Sequence, residues 1–140
     1  MPEVRQERTG WRDMRLSERH RQWGWNCPAV DLDFLFLEYD RGLPTAIVEY
    51  KHEQAQAVSL GHPTYHAISV LADRAGVPFI ICRYKDDFSL WRVTPANTLA
   101  REYMPDGEAY FSEPGWVRFL YRLRGYECPQ SILDGLKVVA

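Results

Sequence analysis

Residues 30–39 (VDLDFLFLEY), 40–44 (DRGLP) and 45–51 (TAIVEYK) decide how this chain is read. The first and third stretches are rich in aliphatic and aromatic residues, as strands are, and the middle one is turn chemistry. Together they predict an antiparallel hairpin. The acids within it do not suit a plain core. Between Asn26 and Glu53 six carboxylates (Asp31, Asp33, Glu38, Asp40, Glu49 and Glu53) stand against only Arg41 and Lys51, and burying unpaired carboxylates on strands is costly. Turn, strand-end or solvent-face positions account for four of them. Asp33 and Glu49 are harder to place that way.

The two-residue period of a strand puts Asp31, Asp33, Leu35 and Leu37 on one face, and Ile47, Glu49 and Lys51 on one face of the partner. With the turn between Tyr39 and Thr45, Asp33 falls nearly opposite Glu49 or Lys51. Two carboxylates and an ammonium then converge far from the turn. A hard cation such as Mg²⁺ or Mn²⁺ takes one or two carboxylates, carbonyls and waters, and the backbone carbonyl of Tyr50 is placed to help. The Lys51 ammonium would orient a water or stabilise charge on a phosphate. The plain alternative is a surface ion pair between Glu49 and Lys51, worth little to stability.

Working outward, residues 12–23 (RDMRLSERHRQW) read as a short helix, ended by Gly24, Asn26 and Pro28. After the hairpin, residues 63–75 place Tyr65, Ile68, Leu71, Ala72 and Ala75 at helical spacing, with Gly76 as the stop. Residues 78–84 (PFIICRY) read as a buried strand and 88–93 as a strand pairing back. A helix is expected over 97–103 and another over 112–124, with Ser112 as its N-cap and Gly125 just past its end. The sum is an α/β domain: a central mixed sheet with a hairpin at its heart, flanked by helices.

Asp33 followed across a hairpin by Glu49-Tyr50-Lys51, with Ala46-Ile47-Val48 before the Glu, resembles the PD-(D/E)xK nuclease superfamily. The order helix, hairpin, helix, strand also resembles that family, over residues 12–93. The Pro-Asp dipeptide of the family is missing, since Pro28 precedes Asp31 by three residues and Asp33 by five. The resemblance implies a restriction-endonuclease-like core. It also implies an endo- or exonuclease that hydrolyses phosphodiester bonds, DNA ahead of RNA, and leaves a 5′-phosphate. Asp33, Glu49 and Lys51 would be catalytic. Asp33, Glu49 and the Tyr50 carbonyl would hold Mg²⁺ or Mn²⁺, with Asp31 or Glu18 as further candidates. A member of the same fold that has lost catalysis, and binds nucleic acid or a protein partner, is the alternative.

Length and charge set the frame. At 140 residues, 46% hydrophobic and 26% charged, the chain is expected to be one domain, with residues 1–11 a loose leading segment. Seventeen Lys and Arg against nineteen Asp and Glu give a net charge of −2. That excludes broad electrostatic coating of a polyanion, but it is a sum of opposites. Through Trp25 there are six Arg and four acids, and Arg19-His20-Arg21 is the candidate phosphate-contacting patch. Arg118, Arg122 and Arg124 form a second basic cluster. Three cysteines (Cys27, Cys82, Cys128) with no paired spacing read as reduced thiols. With no apolar leader and no membrane-length run, a cytoplasmic location and no membrane partner are expected. A homodimer is expected if two strands are cut in concert. His62 and His66 read as a helix start and a solvent face rather than a zinc pair, and Tyr65 as core.

Overall fold

The computed structural model describes residues 14–136. The leading segment 1–11 therefore lies outside the described residues, as do the first two residues of the expected helix 12–23. The chain divides into two compact units, Met1–Asp31 and Leu32–Ala140. In the first, α1 (Met14–Gln22) has no buried residue and carries Arg19, His20 and Arg21 in its last turn.

The second unit is an α/β fold. Its elements are β1 (Phe34–Glu38), β2 (Leu43–His52), α2 (Pro63–Ala75), β3 (Phe79–Tyr84), β4 (Trp91–Pro95), α3 (Thr98–Tyr103), β5 (Ala109–Phe111), α4 (Glu113–Arg124) and α5 (Gln130–Leu136). One five-stranded sheet runs in the order β1-β2-β3-β4-β5. Only β2 and β3 are parallel, because α2 carries the chain back between them; the other pairs are antiparallel.

The apolar residues of β2 and β3 sort by parity onto two faces. Ala46, Val48, Ile80 and Cys82 pack with Val93, Ala100, Met104, Trp116 and Phe119 beneath α3 and α4. Ile47, Phe79 and Ile81 pack with Ile68, Ala72, Val77 and Ala96 beneath α2. β3, covered on both faces, reads as a continuous apolar run, as a central parallel strand must. The Cys82 thiol sits in this core, in no disulfide among the described residues, and burial pushes its pKa up to about 12.

The caps are those the sequence spells. The His62 side chain accepts from the Thr64 amide and starts α2, and Gly76 ends it with φ +72°. Ser112 and Gly125 do the same for α4. β4 runs over 91–95 rather than 88–93, because residues 85–90 are spent on a longer turn. β5 and α5 carry too short an apolar pattern to announce themselves. The first hairpin strand begins at Phe34, not Val30, and the second is longer than expected at both ends. The ladder also skips Thr45, pairing Phe36 with Ala46 and Leu37 with Pro44, a bulge that offsets the turn-proximal half of β1.

Two polar groups in the core bind elements together. Asn97, 2% exposed, accepts from the amides of Phe79 and Ala100 through Oδ1 and donates through Nδ2 to the Val77 carbonyl and Asp73. It thus ties the end of α2, the start of β3 and the start of α3. Glu38, 3% exposed, accepts from the amides of Asp40 and Arg41 and from the guanidiniums of Arg41 and Arg124. Burial works to raise its pKa, and these hydrogen bonds outweigh it and hold the carboxyl below its usual range. Arg124 also pairs with Asp40 at 3.6 Å, so it fastens α4 to the hairpin turn instead of presenting a free charge.

Asn97→Ala leaves the Phe79 and Ala100 amides and the Val77 carbonyl without these partners. It is expected to cost about 3 kcal/mol of stability, read from the urea midpoint. A loss below about 1 kcal/mol, the size of a single exposed hydrogen bond, would show that Asn97 does not hold the three elements together.

Candidate functional site

The β1–β2 ladder stops at Phe34 and Val48 because a side chain takes over as acceptor. The Tyr50 N–H, next along that edge of β2, donates to Asp33 Oδ2 at 3.1 Å. The register that sets Phe34 against Val48 places Asp33 level with Glu49. A residue in an extended strand points its N–H and C=O to the same side, so the Tyr50 carbonyl also faces the Asp33 flank. Of the two aspartates the sequence offers, Asp33 is bonded to the Glu-Tyr-Lys strand in this way. Asp31 lies outside the sheet, exposed, in the N-terminal unit.

Glu49 and Lys51 project from β2 on the α2 side, by parity with buried Ile47. Their side chains meet at 3.4 Å, with the carboxylate 13% and the ammonium 29% exposed. Burial raises the Glu49 pKa, and the neighbouring Asp33 charge raises it further against the opposing pull of Lys51. Lys51 is held protonated: a hydrogen bond with the Tyr65 side chain is the main cause, partly offset by burial, with Glu49 adding to it. The ammonium also lies 5.9 Å from the centre of the Tyr65 ring.

Tyr65 is the residue that sequence reasoning missed. Its helical spacing marked it as core, and it does pack at the edge of the α2 cluster, but it also stands beside the Lys51 ammonium and raises its pKa. The signal was its place in the first turn of the helix that follows the Glu-x-Lys strand. Arg83, level with Lys51 on β3, donates to the carbonyls of Ala55 at 2.9 Å and Gln56 at 2.7 Å. That fixes the loop leading from the site into α2. His52 pairs with Asp86 through Nε2 and accepts from the Gln54 amide at Nδ1, so both ring nitrogens are engaged.

On the other face, Tyr50 is an anchor. Its hydroxyl accepts from Trp116 Nε1 at 3.1 Å, and its ring makes edge contacts with Phe34, Tyr84, Trp91 and Trp116. Burial raises its phenol pKa strongly. The strand bearing Glu49 and Lys51 is thus keyed to α4 through the residue between them.

Asp33, Glu49, Tyr50 and Lys51 come together in the second unit. Glu18, Arg19, His20 and Arg21 are on α1 in the N-terminal unit, where the His20 and Trp23 rings lie 4.3 Å apart. Of the late basic cluster, Arg118 and Arg122 have no carboxylate at ion-pair distance among the described residues, and Arg124 is paired.

For a cation, the donor set is two adjacent carboxylates and one carbonyl. Among the described residues no three His, Cys, Asp or Glu side chains gather to hold a metal on their own. Mg²⁺ does not demand such a cage; it binds through one or two carboxylates with waters and substrate phosphates. The residues fit a hard cation of that kind, held in part by its substrate. They fit zinc poorly, since zinc sites are built chiefly on His and Cys and this set contains neither.

No family model matches the chain, and no significant match is found among curated proteins or solved structures. No helix among the described residues is long and apolar enough to cross a membrane.

The raised pKa of Glu49 fixes a sign. A group whose pKa is higher in the folded chain supports folding when protonated, and that support is lost as pH rises through its titration. Glu49→Gln, neutral throughout, is therefore expected to gain on the wild type as pH rises. The gain is up to about 1 kcal/mol near neutrality for a partly exposed charge, closing towards zero near pH 3.5. Urea unfolding at both pH values measures it, and a wild type that outstrips the variant as pH rises contradicts the assignment.

Proposed function

We propose that the chain is a metal-dependent nuclease on a restriction-endonuclease-like core, hydrolysing phosphodiester bonds in DNA ahead of RNA. The observation that carries this reading is the hydrogen bond from the Tyr50 amide to Asp33. It joins an aspartate distant in sequence to the middle of the Glu-Tyr-Lys triplet. The helix and parallel strand that follow the hairpin support the same reading.

Each residue has a task that its surroundings suit. Asp33 and Glu49, with the Tyr50 carbonyl, would hold Mg²⁺ or Mn²⁺; burial and then the Asp33 charge raise the Glu49 pKa, and a bound cation would offset both. When bound, such an ion supplies Lewis-acid polarisation of a phosphoryl oxygen. Lys51, kept protonated by Tyr65 and Glu49, acts as a fixed positive charge and donor rather than as a base. It orients the attacking water and faces the charge that builds on the phosphate. Arg83 holds the adjoining loop in place while this happens.

The absence of a third gathered acid among the described residues favours one second reading, a module of this fold that binds nucleic acid without cutting it.

Incubation with single- and double-stranded DNA and RNA in Mg²⁺ or Mn²⁺ separates the two. Cleavage is expected from the wild type. Asp33→Ala, Glu49→Ala and Lys51→Ala are each expected to slow it at least about 100-fold, with the circular dichroism of the wild type retained. Undiminished cleavage in all three variants overturns the assignment of these residues. No cleavage with any divalent ion, alongside retained binding, favours the non-cutting module.

A further inference from the structure

The sheet has two edges, and they are finished differently. β5 ends it on one side with only three residues. β1 ends it on the other with Phe34-Leu35-Phe36-Leu37-Glu38, a run without Lys, Pro or Gly. Edges that must stay single are blunted by charges, prolines or bulges in the edge strand itself. Here the extra residue of the bulge, Thr45, lies in β2, and β1 runs regularly. The one charge of β1 is spent inside the chain: Glu38 is engaged by Arg41, Arg124 and the turn amides.

The ladder fixes which backbone groups of β1 are unused. Ile47 donates its N–H to the Pro78 carbonyl, on the β3 side, and Leu35 stands opposite Ile47. Leu35 is therefore in a pair without hydrogen bonds, and its own N–H and C=O point out of the sheet. Those of Leu37, two residues on, do the same. Among the described residues no other backbone segment bonds to either. The side chains follow the same parity. Phe36 joins the cluster beneath α3 and α4, which puts Leu35 and Leu37 on the α2 face. α2 packs on β2 and β3, so the two leucines stand beside it, 51% and 45% exposed. Leu32, Phe34 and Tyr39 extend this exposed apolar surface along the edge. Such a surface on an unpaired strand is built for a partner.

We propose that β1 is a homodimer interface, where two copies of the chain join edge to edge, antiparallel, in one continuous sheet. An antiparallel partner has to offer its own outward-facing residues. A two-fold axis at Phe36 does this and pairs β1 with its copy from Phe34 to Glu38. Leu35 of each copy then faces Leu37 of the other, so four leucines line up on the α2 face, and Phe36 faces itself. Charge permits the same register. Like charges directly opposite would oppose it, and none meet: Asp33 falls opposite Tyr39, and Glu38, held between two guanidiniums, opposite Phe34. The interface is independent of whatever Asp33, Glu49 and Lys51 bind.

The experiment is sedimentation velocity of the full chain from about 1 to about 100 µM, the range of dissociation constants of a small interface. A monomer–dimer equilibrium is expected across it. Leu35→Lys alters an exposed side chain, so the circular dichroism of the wild type is expected to persist. Because a two-fold axis counts each substitution twice, the dimer is expected to weaken at least about tenfold. Tyr110→Lys, on β5 at the opposite edge and equally exposed to solvent, is expected to leave it unchanged. A second measurement reads the register. With Cys27 and Cys128 replaced by serine, Phe36→Cys is expected to cross-link into a dimer on oxidation. The axis sets the two Cα atoms about 4.5 Å apart, within disulfide reach. A chain that stays monomeric throughout overturns the proposal, and so does one that stays monomeric but takes a strand of another protein on this edge. It is equally overturned by a dimer that Leu35→Lys leaves intact or Tyr110→Lys breaks, or by a folded, dimeric Phe36→Cys chain that does not cross-link.

Discussion

The buried amide of Asn97 is the constraint on which the sheet depends. The β2–α2–β3 crossover sets the only parallel pair in the sheet, and parallel strands have no tight turn to fix their register. Here the register is set where α2 ends and β3 begins, and both meet Asn97, which at the same time caps α3. Three of the four hydrogen bonds of this side chain join segments far apart in sequence, and the fourth caps α3. Satisfied, such a group specifies one arrangement; half-satisfied, it would cost more than an apolar residue. The placement of Lys51 beside Arg83, and of His52 beside Tyr84, follows from that register.

The hairpin answers to a different logic. A carboxylate stands in for a backbone carbonyl at the end of the β1–β2 ladder, so Asp33 is both the terminator of a strand and a member of the site. This has an electrostatic consequence. Asp33 is held close to Glu49, and the repulsion between them is tempered only by Lys51, which is itself held by Tyr65. Such an arrangement is poorly suited to stability alone, since paired like charges on a half-buried strand are unfavourable. It suits a site whose charge is completed by something bound.

Beneath the sheet's other face the same strand is fixed by aromatic packing. Tyr50 meets Trp116 by a hydrogen bond and an edge contact, and Glu38 draws Arg124 to the hairpin turn. Together these clamp α4 along the hairpin from the Glu-Tyr-Lys triplet to the turn. Glu49 and Lys51 on the α2 face therefore rest on a strand whose opposite face is held by packing, the support that a positioned site needs.

Much of this was legible in the order of residues. The hairpin, α2 with its caps, β3 and α4 with its caps follow from patterns of period two and 3.6 and from the chemistry of Ser112, Gly76 and Gly125, all local in origin. Counting back from the turn set Asp33 opposite Glu49 or Lys51; the register that pairs Phe34 with Val48, past the bulge, is what sets it level with Glu49. The sequence put Asp31 and Asp33 at the same parity and favoured Asp33 only through the apolar pair Phe34-Leu35 that follows it. That the Tyr50 amide donates to Asp33, seventeen residues away, is visible only in the packed chain. Nor could the sequence tell that Arg124 is absorbed by Glu38, that Tyr65 stands beside Lys51, or that a buried asparagine closes the crossover. Local pattern determines which segments become strands and helices and which faces are apolar, because those depend on neighbours a few residues away. Which polar side chains meet is decided only when distant segments pack, since each such pairing must displace water and satisfy partners that the local sequence does not contain.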